Sequence, residues 1–281
     1  MQNNKQKKLL ENLIRSKWIT TKKNEDFISY KINLENYQSF NIKKIQLINN
    51  RKDIKILDFG CGEGGYVVAE RINGRKSFGV DIKPENIEIS NARRRCNNIK
   101  DNIFSLIDKN GRTKFPDDYF DVVTLFQVLE HVKPADLDMV LNEVKRILSP
   151  TGLAYFEIPN KNWPQEGHVL MHFVHWVPER IRNITYPVIF KSNKMMVQNN
   201  FLKSINYFTT PGWNKLLSKN YKNIHTPIKI IQLLAYGPQY KFGRLKPLKN
   251  IFRFFILLLP KSFVIFLYKF FGPLSVFVIQ K

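Results

Sequence analysis

The stretch "ILDFGCGEGGYV", residues 56–67, decides the fold of this chain. Its apolar run ends in a turn where Gly60, Gly62 and Gly65 fit the pattern G-x-G-x-x-G. A strand followed by such a turn and a helix is typical of dinucleotide-binding βαβ units. An acidic residue, Asp81, follows about 20 residues later, as that fingerprint requires. The stretch predicts an α/β fold with a ligand at the glycine turn.

Two carboxylates, Asp58 and Glu63, lie in the same turn. They would repel the pyrophosphate of a dinucleotide, which such turns bind with backbone amides. S-adenosylmethionine lacks a phosphate and carries a sulfonium cation and an α-ammonium group, so carboxylates suit it. Asp81 would accept the ribose hydroxyls, and Asp108, after the third strand, the adenine amino group. The acid pattern favours S-adenosylmethionine over a dinucleotide.

Strands alternate with helices between residues 54 and 160. Apolar runs predict strands at 54–59, 77–81, 102–108, 120–129 and 152–159. The intervening segments predict helices at 65–72, 84–96 and 135–148. This alternation predicts a parallel sheet covered by helices on both faces. Ligands of such sheets bind at the carboxyl ends of the strands, where the acidic and glycine residues of this chain lie.

The flanking segments have different compositions. Residues 1–50 predict an N-terminal cap of one or two amphipathic helices, and residues 51–281 the main domain. Within that domain, residues 159–208 are rich in Trp, His and Pro and predict a substrate lid. A helix is expected at 210–220, a sixth strand at 221–231 and a final strand at 274–280.

Basic residues are concentrated in the carboxy-terminal third. The net charge is +22, and the segment from Arg180 onward contains 17 basic residues and no Asp or Glu. Residues 236–271 are first basic and then very apolar, but charges and Pro260 interrupt the run, which is too short to span a membrane. We expect this insertion to dock on an anionic membrane surface. The alternative is a buried helix that packs on the sheet or on a second subunit.

The cysteine content and the amino terminus bear on the compartment. The only cysteines are Cys61 and Cys96, and the amino terminus lacks the apolar core of a signal peptide. We expect a cytoplasmic protein, peripheral on the inner face of the membrane.

Four stretches, "ILDFGCGEGG", "GVDI", "FPDDYFDVVTLFQVLEHV" and "LNEVKRILSPTGLAYFEIPN", together resemble the class I S-adenosylmethionine-dependent methyltransferases of the type 11-like group. The resemblance covers residues 54–160. It implies a Rossmann-like, doubly wound sheet of seven strands whose last strand, 274–280, is antiparallel. It also implies that the cofactor site is lined by Asp58, Gly60, Cys61, Gly62, Gly64, Asp81, Ile82, Asp108 and Gln127.

Methyl transfer to a hydroxyl needs a base or a metal ion to remove the proton. The stretch "QVLEH" resembles the Glu-x-x-Glu-His metal motif of ubiquinone-pathway O-methyltransferases and small-RNA 2′-O-methyltransferases. Gln127 replaces the first Glu of that motif, so no metal is predicted. His131 is the predicted general base, and Glu130 is the second predicted catalytic residue.

The predicted lid supplies the candidate substrate contacts, namely Asn160, His168, His172 and Trp176. The spacing of His168, His172 and His175 predicts that they share one helix face, which more often packs than binds a ligand. Three successive arginines, 93–95, are expected to be a solvated helix end.

These features favour an S-adenosylmethionine-dependent methyltransferase that O-methylates a small, lipid-linked or membrane-associated acceptor. Methylation of RNA is the alternative, which only the basic charge supports, because exposed aromatic residues are not interleaved with the charges. A non-enzymatic membrane adaptor would require a degenerate glycine loop. The acceptor and the oligomeric state stay open.

Overall fold

A computed structural model describes residues 2–18, 25–168, 172–178, 180–181, 205–236 and 259–281. The chain forms two compact units. The first unit comprises Met1–Phe126, Asp138–Tyr155 and Ile279–Lys281, and the second comprises Gln127–Leu137 and Phe156–Val278.

The strands form one seven-stranded sheet. They are β1 (Lys55–Phe59), β2 (Lys76–Asp81), β3 (Phe104–Leu106), β4 (Phe120–Phe126), β5 (Leu148–Pro159), β6 (Asn223–His225) and β7 (Leu274–Gln280). Their order is β3-β2-β1-β4-β5-β7-β6. β1 pairs in parallel with β2 and β4, β2 pairs in parallel with β3, and β7 is antiparallel. The predicted fold class is confirmed, and the order reverses between β1 and β4, where such sheets bind ligands.

Helices separate the strands and form the N-terminal cap. In the described residues they are α1 (Gln2–Trp18), α2 (Glu25–Ile32), α3 (Ser39–Ile48), α4 (Gly65–Ile72), α5 (Pro84–Cys96), α6 (Leu137–Ile147), α7 (Thr210–Leu217), α8 (Ile228–Tyr236) and α9 (Lys261–Phe271). The described part of the cap therefore contains three α-helices rather than the predicted one or two. Its first two helices pack on α5 through a buried cluster of Leu10, Ile14, Ile28, Ile89 and Ala92.

The predicted sixth strand is wrong beyond residue 225, because its second half forms α8. Pro227 lacks the N–H that a strand ladder needs, and its carbonyl accepts the N–H groups of Ile230 and Ile231 in the first turn of that helix. Ile230, Ile231 and Leu234 are buried, which is a helical spacing. A short apolar run does not distinguish a strand from a buried helix by its pattern alone.

Two further strand predictions were too long. The third strand covers residues 104–106 only, and β4 ends at Phe126 rather than at residue 129. Gln127 has a φ of +56°, so the chain leaves the extended conformation there. Residues Leu129–His131 then form one turn of 3₁₀ helix.

The carboxy-terminal helix α9 has a buried and an exposed apolar face. Val264 and Tyr268 are buried, whereas Phe263, Phe266 and Phe271 are each about half exposed, at 46%, 53% and 55%. No helix in the described part of the chain has the length and hydropathy of a membrane span. Most of the remaining predicted docking insertion, residues 237–258, lies outside the described residues.

Arg93 on α5 is fully buried, which corrects the prediction of a solvated arginine run. Its Nε donates to the carbonyl of Glu63 at 2.8 Å, and its Nη atoms donate to the carbonyls of Lys31 and Ile32 and to the Glu35 carboxylate. Side-chain hydrogen bonds therefore tie α5 to the glycine loop and to the end of α2. A buried guanidinium requires such partners, because leaving its donors unpaired away from water is costly.

We predict that Arg93→Leu destabilises the protein by about 3–5 kcal/mol, since it leaves the Glu35 carboxylate without its buried partner. Urea unfolding followed by circular dichroism measures this change. The control is Arg95→Leu, because Arg95 is exposed and should change stability by less than about 0.5 kcal/mol. Equal stability of the two variants would contradict this account of Arg93.

Candidate functional site

The glycine loop turns sharply as it leaves β1. Gly60, Gly62 and Gly64 have φ values of +80°, +54° and +75°, a region that residues with a side chain rarely adopt. A Cβ atom at Gly64 would lie 2.7 Å from the ring of Phe104 and from the hydroxyl of Ser90. Glycine is therefore required there for both backbone and packing reasons.

A pocket of about 330 Å³ lies beside this loop in the first unit. Of the predicted cofactor residues, Asp58, Gly60, Cys61 and Gly62 line it. The cap contributes much of the remaining wall, through Lys17, Trp18, Lys31, Leu34, Gln38 and Asn41.

Asp81 holds the glycine loop in place. One of its carboxylate oxygens accepts the N–H of Gly62 at 2.9 Å, and the other accepts the N–H of Lys83 at 2.8 Å. Asp108 is exposed, and one of its oxygens accepts backbone N–H groups of the turn that follows it. Ile82 is 69% exposed. The ribose and adenine contacts of these residues stay predictions.

Asp58 is buried at the end of β1. Burial raises the pKa of its carboxyl to about 7, and the nearby Asp81 and Glu70 add to the rise, while a hydrogen bond from Thr124 opposes it. The carboxyl is therefore poised to lose its proton when a cation arrives.

Glu63 is also buried, but it is paired. Its carboxylate forms ion pairs with Lys17 at 3.0 Å and with Lys31 at 3.3 Å, and it accepts the indole N–H of Trp18. Burial raises the pKa of Glu63, but these two lysines outweigh it and hold the pKa below its usual value. The sequence analysis expected the charge of Glu63 to face the ligand, but two lysines of the cap already neutralise this charge.

In the second unit, two predicted residues meet in a hydrogen-bonded series. Nε2 of His131 lies 3.2 Å from Nε2 of His168, and Nδ1 of His168 lies 2.7 Å from a carboxylate oxygen of Glu166. The hydroxyl of Tyr207 donates to the same oxygen. Burial lowers the pKa of His168, but the hydrogen bond and the charge of the Glu166 carboxylate outweigh this effect and raise the pKa overall.

Glu130 lies beside this series with both carboxyl oxygens buried and without a hydrogen-bond partner in the described residues. Burial raises its pKa to about 8, so the carboxyl is mostly protonated at neutral pH. Ligand atoms of Glu130, His131 and His168 lie within 4.8 Å of one another. One carboxylate and two imidazoles are a donor set that suits a divalent transition metal or zinc. The prediction of no metal stays a prediction.

The remaining predicted residues of the second unit have structural contacts. The buried Asn160 donates its side-chain amide to the carbonyls of Phe270 and Gly272, and Trp176 donates its indole N–H to the carbonyl of Lys161. Gln127 and His172 are exposed. Substrate or cofactor contact by these residues stays a prediction.

The predicted helix face through His168, His172 and His175 is wrong. Residues 172–178 form turns, and Phe173 has a φ of +61°, which an α-helix cannot accommodate. His172 instead forms an isolated antiparallel bridge with Gln165. Residues 169–171, 179 and 182–204 of the predicted lid lie outside the described residues.

Comparison with known proteins agrees with this geometry. A family model described as a methyltransferase domain matches residues 34–220. The chain belongs to this methyltransferase family. The match places the chain among the class I methyltransferases, a family whose cofactor is S-adenosylmethionine.

Curated relatives of the methyltransferase match part of the chain. A ubiquinone biosynthesis O-methyltransferase of Bartonella tribocorum is 28% identical over 134 residues, 45% of this chain and 51% of the relative. The enzyme of the same name from Neisseria meningitidis is 25% identical over 145 residues, 48% and 59% of the two chains. A sterol 4-C-methyltransferase of Caenorhabditis elegans is 32% identical over 110 residues, 39% and 31% of the two chains. The chain spans about half the length of the first two relatives.

Solved structures are more distant. The [4+2]-cyclase SpnF has a TM-score of 0.48 and 15% identity, over 86% of this chain and 79% of that chain. A geranyl diphosphate methyltransferase in complex with GPP and sinefungin has a TM-score of 0.48 and 17% identity, over 86% and 75% of the chains.

The sequence missed several residues of the methyltransferase that surround the two groups of predicted residues. Lys17, Trp18 and Lys31 of the cap line the pocket beside the glycine loop, and Glu166 and Tyr207 hold His168. Local sequence gave no signal for the two lysines, because the whole cap is rich in lysine. Glu166 carried a weak signal, since it is the one carboxylate within the histidine-rich stretch 164–176.

We predict that S-adenosylmethionine binds about tenfold more tightly at pH 8 than at pH 6. A carboxyl with a pKa of about 7 increases its ionised fraction about tenfold over this range, and a cationic ligand binds the ionised form. Isothermal titration calorimetry measures both dissociation constants. Asp58→Asn should remove most of this dependence, and an unchanged pH profile in that variant would exclude Asp58 as its source.

Proposed function

We propose that the methyltransferase transfers a methyl group from S-adenosylmethionine to a hydroxyl group of its acceptor, and that His131 removes the proton of this hydroxyl. The series Glu166–His168–His131 carries the proposal, because a histidine oriented by a second group is the usual form of a general base. The names of the two ubiquinone-pathway relatives, which are O-methyltransferases, support the same reaction.

We assign one set of tautomers to the two histidines, which satisfies both hydrogen bonds. Nδ1–H of His168 donates to the Glu166 carboxylate, so Nε2 of a neutral His168 can accept a proton donor. His131 then donates its Nε2–H to that atom and keeps the lone pair on Nδ1 for the acceptor hydroxyl. The imidazolium formed on His131 is stabilised through His168 by the negative charge of Glu166. His131 is the exposed end of the series, as a substrate-contacting base must be.

Glu130, His131 and His168 also fit a divalent metal ion, because the Glu130 carboxyl oxygens are buried without a hydrogen-bond partner in the described residues. Such an ion would lower the pKa of a bound hydroxyl and take over the work of the base. Glu166 would then orient His168 as a ligand rather than as part of a proton path.

We predict that His131→Ala lowers turnover by about 10²–10⁴-fold, the usual contribution of a general base, and leaves the dissociation constant of S-adenosylmethionine within about twofold. Turnover with an acceptor extract and calorimetry of the cofactor measure the two quantities. The matched control is His225→Ala, an exposed histidine of β6, which should retain wild-type turnover.

Treatment with a chelator separates the base from a metal. If His131 acts as a base without a metal ion, the enzyme keeps its turnover in EDTA. Loss of turnover in EDTA and recovery with added Zn²⁺ or Mg²⁺ would contradict the metal-free mechanism. Turnover of His131→Ala within about twofold of wild type would exclude both roles for this residue.

We also propose that the acceptor is membrane-associated and that α9 docks the enzyme on an anionic lipid surface. The exposed Phe263, Phe266 and Phe271 give α9 an apolar face, and the carboxy-terminal third adds 17 basic residues and no acidic ones. Aromatic side chains enter the acyl boundary while lysines reach the phosphates. The burial of Val264 and Tyr268 supports a helix anchored to the protein by its other face.

We predict that the protein floats with vesicles containing anionic phospholipid and is released by salt, since screening weakens surface charge attraction. The double variant Phe263→Ser, Phe266→Ser should bind at least about tenfold more weakly, because burying each Phe contributes about 1.5–3 kcal/mol. The control is Ile72→Ser, which changes an apolar side chain of α4 that is 58% exposed. Equal flotation of both variants would contradict docking through α9.

A further inference from the structure

His131 lies on a very short element. Residues Leu129–His131 form a single turn of 3₁₀ helix shortly after β4. Within this turn the N–H of His131 donates to the carbonyl of Val128 at 2.9 Å, and the N–H of Val132 donates to the carbonyl of Leu129 at 3.3 Å. Hydrogen bonds of the 3₁₀ type have poorer geometry than those of an α-helix, so one turn does not fix its own position. The position of His131 therefore depends on residues outside the turn.

Asn206 contacts this turn from a distant part of the sequence. Its backbone N–H donates to the carbonyl of Glu130 at 2.7 Å, and its side-chain amide donates to the carbonyls of Val132 at 2.6 Å and Leu129 at 3.3 Å. Both partners of the amide are carbonyl oxygens, which only accept, so the amide must present its nitrogen to the turn. We propose that Asn206 is a positioning residue that fixes His131 through this turn.

The next residue of the chain holds the other half of the hydrogen-bonded series. The hydroxyl of Tyr207 donates to Glu166 at 3.1 Å, and the same carboxylate oxygen lies 2.7 Å from Nδ1 of His168. The ring of Tyr207 also stacks on that of His175, with centroids 5.2 Å apart and an angle of 22° between the planes. Two consecutive residues therefore contact the turn that carries His131 and the segment that carries His168.

The contact between the two histidines is sensitive to small shifts of either half. Nε2 of His131 and Nε2 of His168 are 3.2 Å apart, although the residues are 37 positions apart in the sequence. A hydrogen bond is lost when such a distance exceeds about 3.5 Å. Ile205, beside Asn206, is buried and anchors the segment to the core. A displacement of the turn by about 1 Å would separate the two rings, and a misplacement of this size lowers a rate by up to about 10²-fold.

The inference rests on the proposed function, so its test compares Asn206→Leu with His131→Ala. Leucine keeps the branched shape of asparagine but has no polar atom, so the variant loses both amide hydrogen bonds. Transfer of a tritiated methyl group from S-adenosylmethionine to an acceptor extract measures turnover. We expect turnover of Asn206→Leu to fall by about 10–10²-fold, and the dissociation constant of S-adenosylmethionine to stay within about twofold.

The matched control is Asn73→Leu. Asn73 follows α4 and donates its side-chain amide to the carbonyl of Ala69 at 2.8 Å, so this variant also loses an amide–carbonyl hydrogen bond. It should keep wild-type turnover. Amide hydrogen exchange of the peptide 127–133, measured by mass spectrometry, should be faster in Asn206→Leu than in wild type or in the control, because the turn opens more often.

A double variant distinguishes positioning from general damage. If Asn206 acts through His131, its substitution has no further effect once the imidazole is absent. The variant Asn206→Leu, His131→Ala should therefore turn over at the rate of His131→Ala alone. A further loss of about tenfold in the double variant would indicate an independent role of Asn206 and overturn the inference.

The outcomes also separate this inference from the function on which it rests. Wild-type turnover in Asn206→Leu, together with an inactive His131→Ala, would overturn the positioning role alone. Unchanged hydrogen exchange of the peptide 127–133 would overturn it as well, since the amide would then not hold the turn. Turnover of His131→Ala near that of wild type would overturn the proposed function, and this inference with it.

Discussion

The pocket beside the glycine loop depends on the burial of one guanidinium group. A guanidinium has five N–H donors and no acceptor, so a fully buried one must find oxygens in several places at once. Arg93 finds them in the glycine loop, at the end of α2 and on Glu35. Because these acceptors come from different parts of the first unit, their common donor fixes the loop against the cap. The pocket lies between the loop and the cap. Its shape therefore depends on the buried Arg93 behind its wall rather than on the residues that face the ligand.

Two carboxyl groups a few residues apart in that pocket behave oppositely, although both are buried. Among the described residues, Asp58 has a hydroxyl partner and two further carboxylates nearby, and the pKa of its carboxyl rises to about 7. Glu63 has two ammonium partners, and its pKa falls. The two pKa values shift in opposite directions because the carboxyl groups have different partners, and not because they are buried to different depths. The first group can change its charge when a ligand arrives, whereas the second is a fixed counter-ion.

The sequence predicted correctly those features that depend on residues close together in the chain. The glycine loop, the first five strands and the final strand follow from backbone conformation and continuous apolar runs, and their positions agree with the structure to within a few residues. Features that depend on distant partners were missed. Nothing near Lys31 indicates that it meets Glu63, and nothing in the run of three arginines distinguishes the buried Arg93 from Arg94 and Arg95. The strand prediction for the apolar run after Pro227 was wrong, because the pattern of this run fits a strand and a helix equally.

The ordered backbone of α9 affects the free energy with which this helix binds another surface. Peripheral segments that are unstructured in water must fold as they bind, and the conformational entropy lost offsets part of the gain from burial. The backbone of α9 is already ordered, because Val264 and Tyr268 anchor one face while the phenylalanines of the other face water. Association through this face would therefore proceed as contact between two preformed surfaces, without a coil-to-helix transition and without the enthalpy and heat-capacity changes that accompany coupled folding.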